Sequence, residues 1–385
     1  MASNPKRRKS LSEENTEKDL LYAMMKICTD LDKSHINLTP LKIECCNGSL
    51  SSSFSKAFCN TEPYDARLLF GDVFHYGISI LREFVESKKT PNDRKMLFVF
   101  NKLMDFVNGD RSLKLSDPLE LQSLSERELT LLVVNHLFSK LATSSCYLID
   151  KNGHEHRGNR CVCGKDSCKM TGWYGDTSIG NAEVWHGNID IIINDDLAVE
   201  PLEETPSEQS PLEVKLQASL KTNPQIAAQT IVFSFLQKKR HPEREHFLTP
   251  CIGVRRSELF IMLYDSEHDV LLESSTVPLF ENEFSCEFSF RAVLVCWLTV
   301  NYRFFCSGLN EKFKMLKSNF FDIAKEKITV YEKGLQFQNV KTCNFPELKL
   351  AIPYVSSFMH DTQKVLIEKY LKLNKSDENG LDVKN

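Results

Sequence analysis

The chain has 385 residues, 42% hydrophobic and 26% charged, enough to bury a sizeable core in one large domain or two moderate ones. A net charge of -4 gives no global basic field, so any contact with nucleic acid has to come from local patches. The polar N-terminus carries no apolar leader, and the longest apolar run, from Ala292, is too short and interrupted to span a bilayer. The expectation is a soluble intracellular protein with no membrane partner, whose 13 cysteines stay reduced as core fillers or metal ligands.

Residues 1–18 read as a disordered tail, in which the basic run Pro5–Lys9 resembles a nuclear-localisation signal; a merely solvated tail is the alternative. A helical N-terminal region is expected over 19–120, with helices at 18–32, 64–88 and 92–107 between Ser/Asn-rich loops. Ser125 and Glu128 have capping-box spacing ahead of another helix. A mixed core then follows over 121–285. Strands are expected at 146–150, 183–194 and 212–217, with 195–209 a solvated acidic connection before the third. The helix at 223–240 has Asn223 as N-cap and Pro224 at its first position, and strands follow near 249–255, 258–265 and 269–274. Residues 286–375 turn helical again, and 376–385 read as a frayed tail. From Ser125 the order is helix, three strands, helix, strand, which predicts an α/β fold with helices packed on a mixed sheet.

Three charges stand in strand-like apolar surroundings. Asp190 lies in "NIDIIIN", and Glu213 and Lys215 flank Val214 in "LEVKLQ". Charges are rarely buried without a partner or a metal. Two carboxylates and the Val214 backbone carbonyl form an all-oxygen donor set suited to Mg²⁺ or Mn²⁺, and a lysine one pleat away can orient or deprotonate a bound water. These residue types suit metal-dependent phosphodiester hydrolysis; a surface ion pair between Glu213 and Lys215 is the bland alternative.

Asp190, then Glu213-Val214-Lys215, then the 223–240 helix, resembles the PD-(D/E)xK nuclease superfamily, whose restriction-endonuclease-like core runs α-β-β-β-α-β. The resemblance covers 125–255. Gln225 and Gln229, with Phe233 in the tyrosine place, resemble the Gln-x-x-x-Tyr motif of the RecB and lambda-exonuclease-like branch. It implies a nuclease, acting on DNA rather than RNA, with Asp190 and Glu213 as ligands, Lys215 activating water and Gln229 steadying the site. It also implies a further acidic ligand on the first core helix, for which Glu126 and Glu128 are candidates, although capping explains Glu128 equally well. His186 shares strand parity with Asp190 and is a candidate for substrate contact, whereas Glu183 falls on the opposite face. The rivals are an inactive nuclease-fold module that binds nucleic acid, and a nuclear zinc-binding interaction protein.

The insertion at 151–180 brings His154, His156, Cys161, Cys163 and Cys168 close together, a candidate structural Zn²⁺ clip with either histidine as fourth ligand; the alternative is a flexible loop with free thiols. Lys238, Lys239 and Arg240 end the 223–240 helix, and Arg255 and Arg256 end the next strand. They are candidates for phosphate binding, although helix-dipole complementarity alone explains the first three. The lysines between Phe313 and Tyr331 are expected on a solvated helix face rather than on a base-stacking one.

Overall fold

The computed structural model describes residues 18–19, 21–23, 36–113, 115, 120–152, 160–202, 223–255, 257–282 and 285–337. Pro5–Lys9, His154, His156, Glu213, Val214, Lys215, Arg256 and everything past 337 lie outside the described residues, as does most of the helix expected at 18–32. The protein is mixed α/β. No described helix is long and apolar enough to cross a membrane.

The strands are β1 (Asn37–Cys46), β2 (Ser52–Ser53), β3 (Cys59–Pro63), β4 (Leu68–Leu69), β5 (Tyr147–Asp150), β6 (Trp173–Gly175), β7 (Ser178–Gly180), β8 (Trp185–Asn188), β9 (Ile191–Ile193), β10 (Leu197–Pro201), β11 (Leu248–Arg255), β12 (Glu258–Asp265), β13 (Val270–Ser274), β14 (Val277–Pro278) and β15 (Gln336–Phe337). Eleven of them form one mixed sheet ordered β3-β1-β13-β12-β11-β10-β9-β5-β6, with β14 on β12 and β4 on β1. The other four form a small sheet, β15-β7-β8-β2.

The larger helices are α1 (His75–Ser87), α2 (Arg94–Asn108), α3, α4 (Pro224–Arg240) and α5 (Phe290–Val300). α3 runs as Glu126–Val133, then a π-helical turn, Val134–Phe138, then Ser139–Leu141. It opens on the expected capping box: the Glu128 N–H donates to Ser125 Oγ at 3.3 Å, and the Ser125 N–H to Glu128 Oε2 at 3.1 Å. α4 opens on Asn223, whose Oδ1 accepts from the Gln225 N–H at 3.0 Å.

Apolar side chains of α1, α2, α3 and α5 pack on one face of the large sheet and those of α4 on the other, where the small sheet and Phe320 and Tyr331 complete a second core. Sandwiched this way, the central strands are apolar on both faces, so β9 reads Ile-Ile-Ile with no polar alternation.

Three expectations need correction. The region 19–120 is not simply helical: β1 lies inside the sheet, paired with β13 and β3. The segment 183–194 is not one strand. Gly187, with φ 146° and its Cα against the Phe54 ring, precedes a break at Ile189–Asp190 that sends β8 into the small sheet and β9 into the large one. The stretch after β9 is not a solvated loop. Asn194 and Asp195 turn in left-handed conformations (φ 52° and 62°), and Leu197, Ala198 and Val199 return fully buried as β10. β10 therefore holds the place beside β9 expected for 212–217.

From α3 the chain runs helix, β5, β9, β10, α4, β11, with β6, β7 and β8 as an excursion between β5 and β9. β5 and β9 are antiparallel, β9 and β10 are antiparallel, and β10 and β11 are parallel across α4.

Candidate functional site

Strand register assembles a row of carboxylates. Ile149 pairs with Ile191 and Ile191 with Val199, so one step further along the strands Asp150, Asp190 and Glu200 stand side by side. Two hydrogen bonds tie the row together. The Asp150 N–H donates to the Asp190 carbonyl at 2.9 Å, and the Asp190 N–H donates to Glu200 Oε1 at 2.9 Å. Glu200 keeps 1% of its surface and Asp150 6%.

The strand break makes this possible. Asp190 is released from the β8 ladder, so its N–H meets a side chain rather than a neighbouring strand. Asn188, the last residue of β8, donates from Nδ2 to Asp150 Oδ1 at 2.6 Å, and the Asn152 N–H donates to the same oxygen at 3.2 Å. From α4 the fully buried Gln229 turns Nε2 toward the Asn188 carbonyl at 3.5 Å. From α3, Arg127 brings Nε to 3.8 Å from Asp190 Oδ1.

Glu200 Oε2 and Gln229 Oε1 are both buried without a hydrogen-bond partner among the described residues. Burial holds the Glu200 carboxyl well above the ordinary carboxylate range; the Asp190 charge adds to that, and the Gln229 amide tempers it. Two adjoining carboxylates, one with a buried oxygen that has no hydrogen-bond partner among the described residues, are a costly arrangement to bury in a core.

The other expected site residues sort by position. Gln225 lies one turn before Gln229 on the same helix, partly exposed. Glu128 is committed to its cap. Glu183 pairs with Lys327 at 2.6 Å, and His186 Nδ1 lies 2.8 Å from the Val184 carbonyl within the small sheet.

The basic cluster at the end of α4 is at the wrong end for this row. Lys238 donates to the Ser266 carbonyl, Lys239 to the Lys333 and Leu335 carbonyls, and Arg240 lies 3.9 Å from Asp195 in the β9–β10 turn. From Gln229 to this cluster is about 14 Å along the helix axis. Arg255, by contrast, sits two residues past Gly253, the β11 partner of Glu200.

A second polar centre forms under α3. His136 Nε2 lies 3.3 Å from Cys161 Sγ and 3.5 Å from Cys168 Sγ. With Cys163, their ligand atoms all lie within 4.8 Å of one another, so the cluster can hold a metal such as zinc. Burial pushes the Cys161 thiol up to about 12. Sequence spacing identified the three cysteines but missed His136, which is 25 residues before Cys161 on a helix that reads as ordinary apolar core.

Glu200 was also missed. Its signal was the pair of apolar triplets in "IIINDDLAVE", split by an Asn-Asp turn. Comparison with known proteins finds no family model, no curated protein and no solved structure that matches the chain.

Proposed function

We propose that this chain is a metal-dependent nuclease of the PD-(D/E)xK type, with Asp190 and Glu200 as its metal-binding carboxylates and DNA as its substrate. The observation that carries the reading is the Asp190–Glu200 contact at the ends of adjoining strands, with Glu200 Oε2 buried and unsatisfied among the described residues. The helix, three strands, helix, strand order, and the entry of Gln229 from the helix before the parallel strand, support it. Mg²⁺ or Mn²⁺, when bound, supplies Lewis-acid polarisation of the phosphodiester and a more acidic water.

The protein residues do the rest. Asp190 and Glu200 offer the hard oxygens, the Asp190 N–H holds Glu200, and Asn188, held by Gln229, holds the neighbouring Asp150. Arg127, with 48% of its side chain exposed, presents a guanidinium to an incoming phosphate. Leu202, two residues past Glu200, occupies the place of the family's lysine, in the core under α4. Glu200 supplies the acid in this reading, and the family's lysine role is left to Lys215, which lies outside the described residues. Leu202 equally favours a second reading, a module that binds nucleic acid without cutting it.

The test is cleavage of labelled single- and double-stranded DNA with Mg²⁺ or Mn²⁺. Asp190→Asn, Glu200→Gln and Lys215→Ala should each lower the rate by on the order of 10²–10⁴-fold, while Glu213→Gln cuts normally. Loss in Glu213→Gln with full activity in Glu200→Gln would return the motif to 213–215. Wild type that binds DNA and Mg²⁺ without cutting supports the second reading, and wild type that binds neither removes both.

A further inference from the structure

The thiol-rich centre under α3 is built by three local devices. Cys161-Val-Cys163 leads into Gly164, whose φ of 72° lets the chain reverse, with the Gly164 N–H donating to the Cys161 carbonyl at 3.1 Å. The Cys168 N–H donates to the Lys165 carbonyl at 2.9 Å, and an Arg160–Lys169 bridge closes the base of the turn. On the helix side, the π-helical turn, Val134–Phe138, carries both Asn135 and His136 against the cysteines. Single π turns recur at functional sites because the extra residue re-aims side chains.

The distances match those around a bound ion. With Zn–S about 2.3 Å and Zn–N about 2.0 Å, a tetrahedron has S···N edges of about 3.5 Å. The two measured His136–cysteine distances are 3.3 and 3.5 Å. A supporting donor is in place as well. Asn135 Nδ2 donates to Cys161 Sγ at 3.3 Å and to Cys168 Sγ at 3.7 Å, and Tyr147 Oη donates to Asn135 Oδ1 at 3.0 Å, orienting the amide. Amide donors aimed at sulfur stabilise thiolates, the ligating form.

We infer that His136, Cys161, Cys163 and Cys168 hold one Zn²⁺ in a closed, four-ligand structural centre that clamps the 160–169 turn to α3. Three sulfurs and one imidazole are soft and borderline donors, which select zinc over the hard cation of the carboxylate row. Four protein ligands leave no position for substrate, so the ion has a structural role and takes no part in chemistry at Asp190 and Glu200.

The test uses the full chain, measuring its metal content and replacing the native ion with Co²⁺ as a spectroscopic probe. Wild type should carry one zinc per chain, and its cobalt form should show thiolate charge-transfer bands and intense tetrahedral d–d bands. Cys163→Ser and His136→Ala should lose most of the zinc. His136→Cys should keep it and shift the cobalt bands, which decides the matter even if the serine variant does not fold. Wild type with no zinc and no cobalt charge-transfer bands overturns the centre. A cobalt spectrum unchanged in both His136 variants overturns the assigned ligand set. DNA cleavage is not a readout here, so this result stands apart from the nuclease assay.

Discussion

Glu200→Gln removes a charge without changing side-chain shape, and the structure sets the sign of the effect. The amide oxygen can keep accepting from the Asp190 N–H, now made by Oε1 at 2.9 Å. The new NH₂ replaces Oε2, which has no partner among the described residues, in a setting that holds an acceptor in the same condition, Gln229 Oε1. Removing a buried unsatisfied acceptor contributes about 1 kcal/mol, and relief of the Asp190–Glu200 like-charge contact acts in the same direction. With Glu200 ionised and no divalent metal, the variant should therefore be more stable than wild type by about 1–2 kcal/mol, a rise of about 1–2 °C in Tm.

Glu200 binds its proton more tightly folded than unfolded, so wild type loses stability as pH rises from the ordinary carboxylate range to the raised folded value, and the loss is complete above it. The gap between the two proteins should close as pH falls from that value toward the ordinary carboxylate range. Millimolar Mg²⁺ should stabilise wild type and leave the variant unmoved. Thermal unfolding across a pH series, with and without Mg²⁺, reads all three effects. A variant less stable than wild type at every pH, or an equal Mg²⁺ response in both proteins, would overturn the Asp190–Glu200 assignment.

Further outcomes follow from the same geometry. By calorimetry, Mg²⁺ affinity should weaken as pH falls through the raised Glu200 value, because the proton and the cation compete for one carboxylate. At the opposite end of β9–β10, Asp196 keeps 3% of its side chain exposed and meets Arg303 at 2.6 Å. Arg303→Met should cost about 2–3 kcal/mol in chemical denaturation, less than for a fully buried pair because Arg303 keeps 37% exposure. Gly172→Ala would drive a methyl into the Tyr147 ring, which is buried and held by Asn135. It should cost about 1–3 kcal/mol and lower zinc content with it. Ser125→Ala, which breaks the capping box, should cost about 1 kcal/mol by the same denaturation assay.

What the sequence disclosed was local. The α3 capping box, the Asn223-Pro224 start of α4 and the β11–β13 meander each rest on residues within a few positions of one another, and each is present. What it concealed depended on neighbours distant in the chain. β1 contains Pro40, which argues against an interior strand, yet Pro40 pairs with Leu272 of β13. The acids around Leu197–Val199 suggested solvent, but Asp196 finds Arg303 and Glu200 finds Asp190, contacts that no periodicity encodes. Asp190 itself was legible as a charge in an apolar run; its contact with Glu200 was not, because the stretch carrying Glu200 read as a solvated acidic loop. His136 has no spacing signature at all, since a helix and a loop meet only in the fold.

The two candidate centres share one strand. Tyr147 at the start of β5 orients Asn135 over the cysteines, and Asp150 at its end joins the carboxylate row, about 10 Å away for three residues of extended chain. β5 also pairs with β6, which follows directly from the 160–169 turn, and with β9, which carries the chain on from Asp190. A clamp on that turn therefore fixes the register of β5, and β5 register sets whether Asp150 meets Asp190. A slip of one residue would turn every side chain of the strand to the opposite face and break up the row. The sulfur-rich and oxygen-rich donor sets differ in hardness, so a soft and a hard ion would sort between them, while the strand links the two places. Loss of the soft-metal clamp should thus weaken Mg²⁺ binding at the carboxylates with none of their ligands altered.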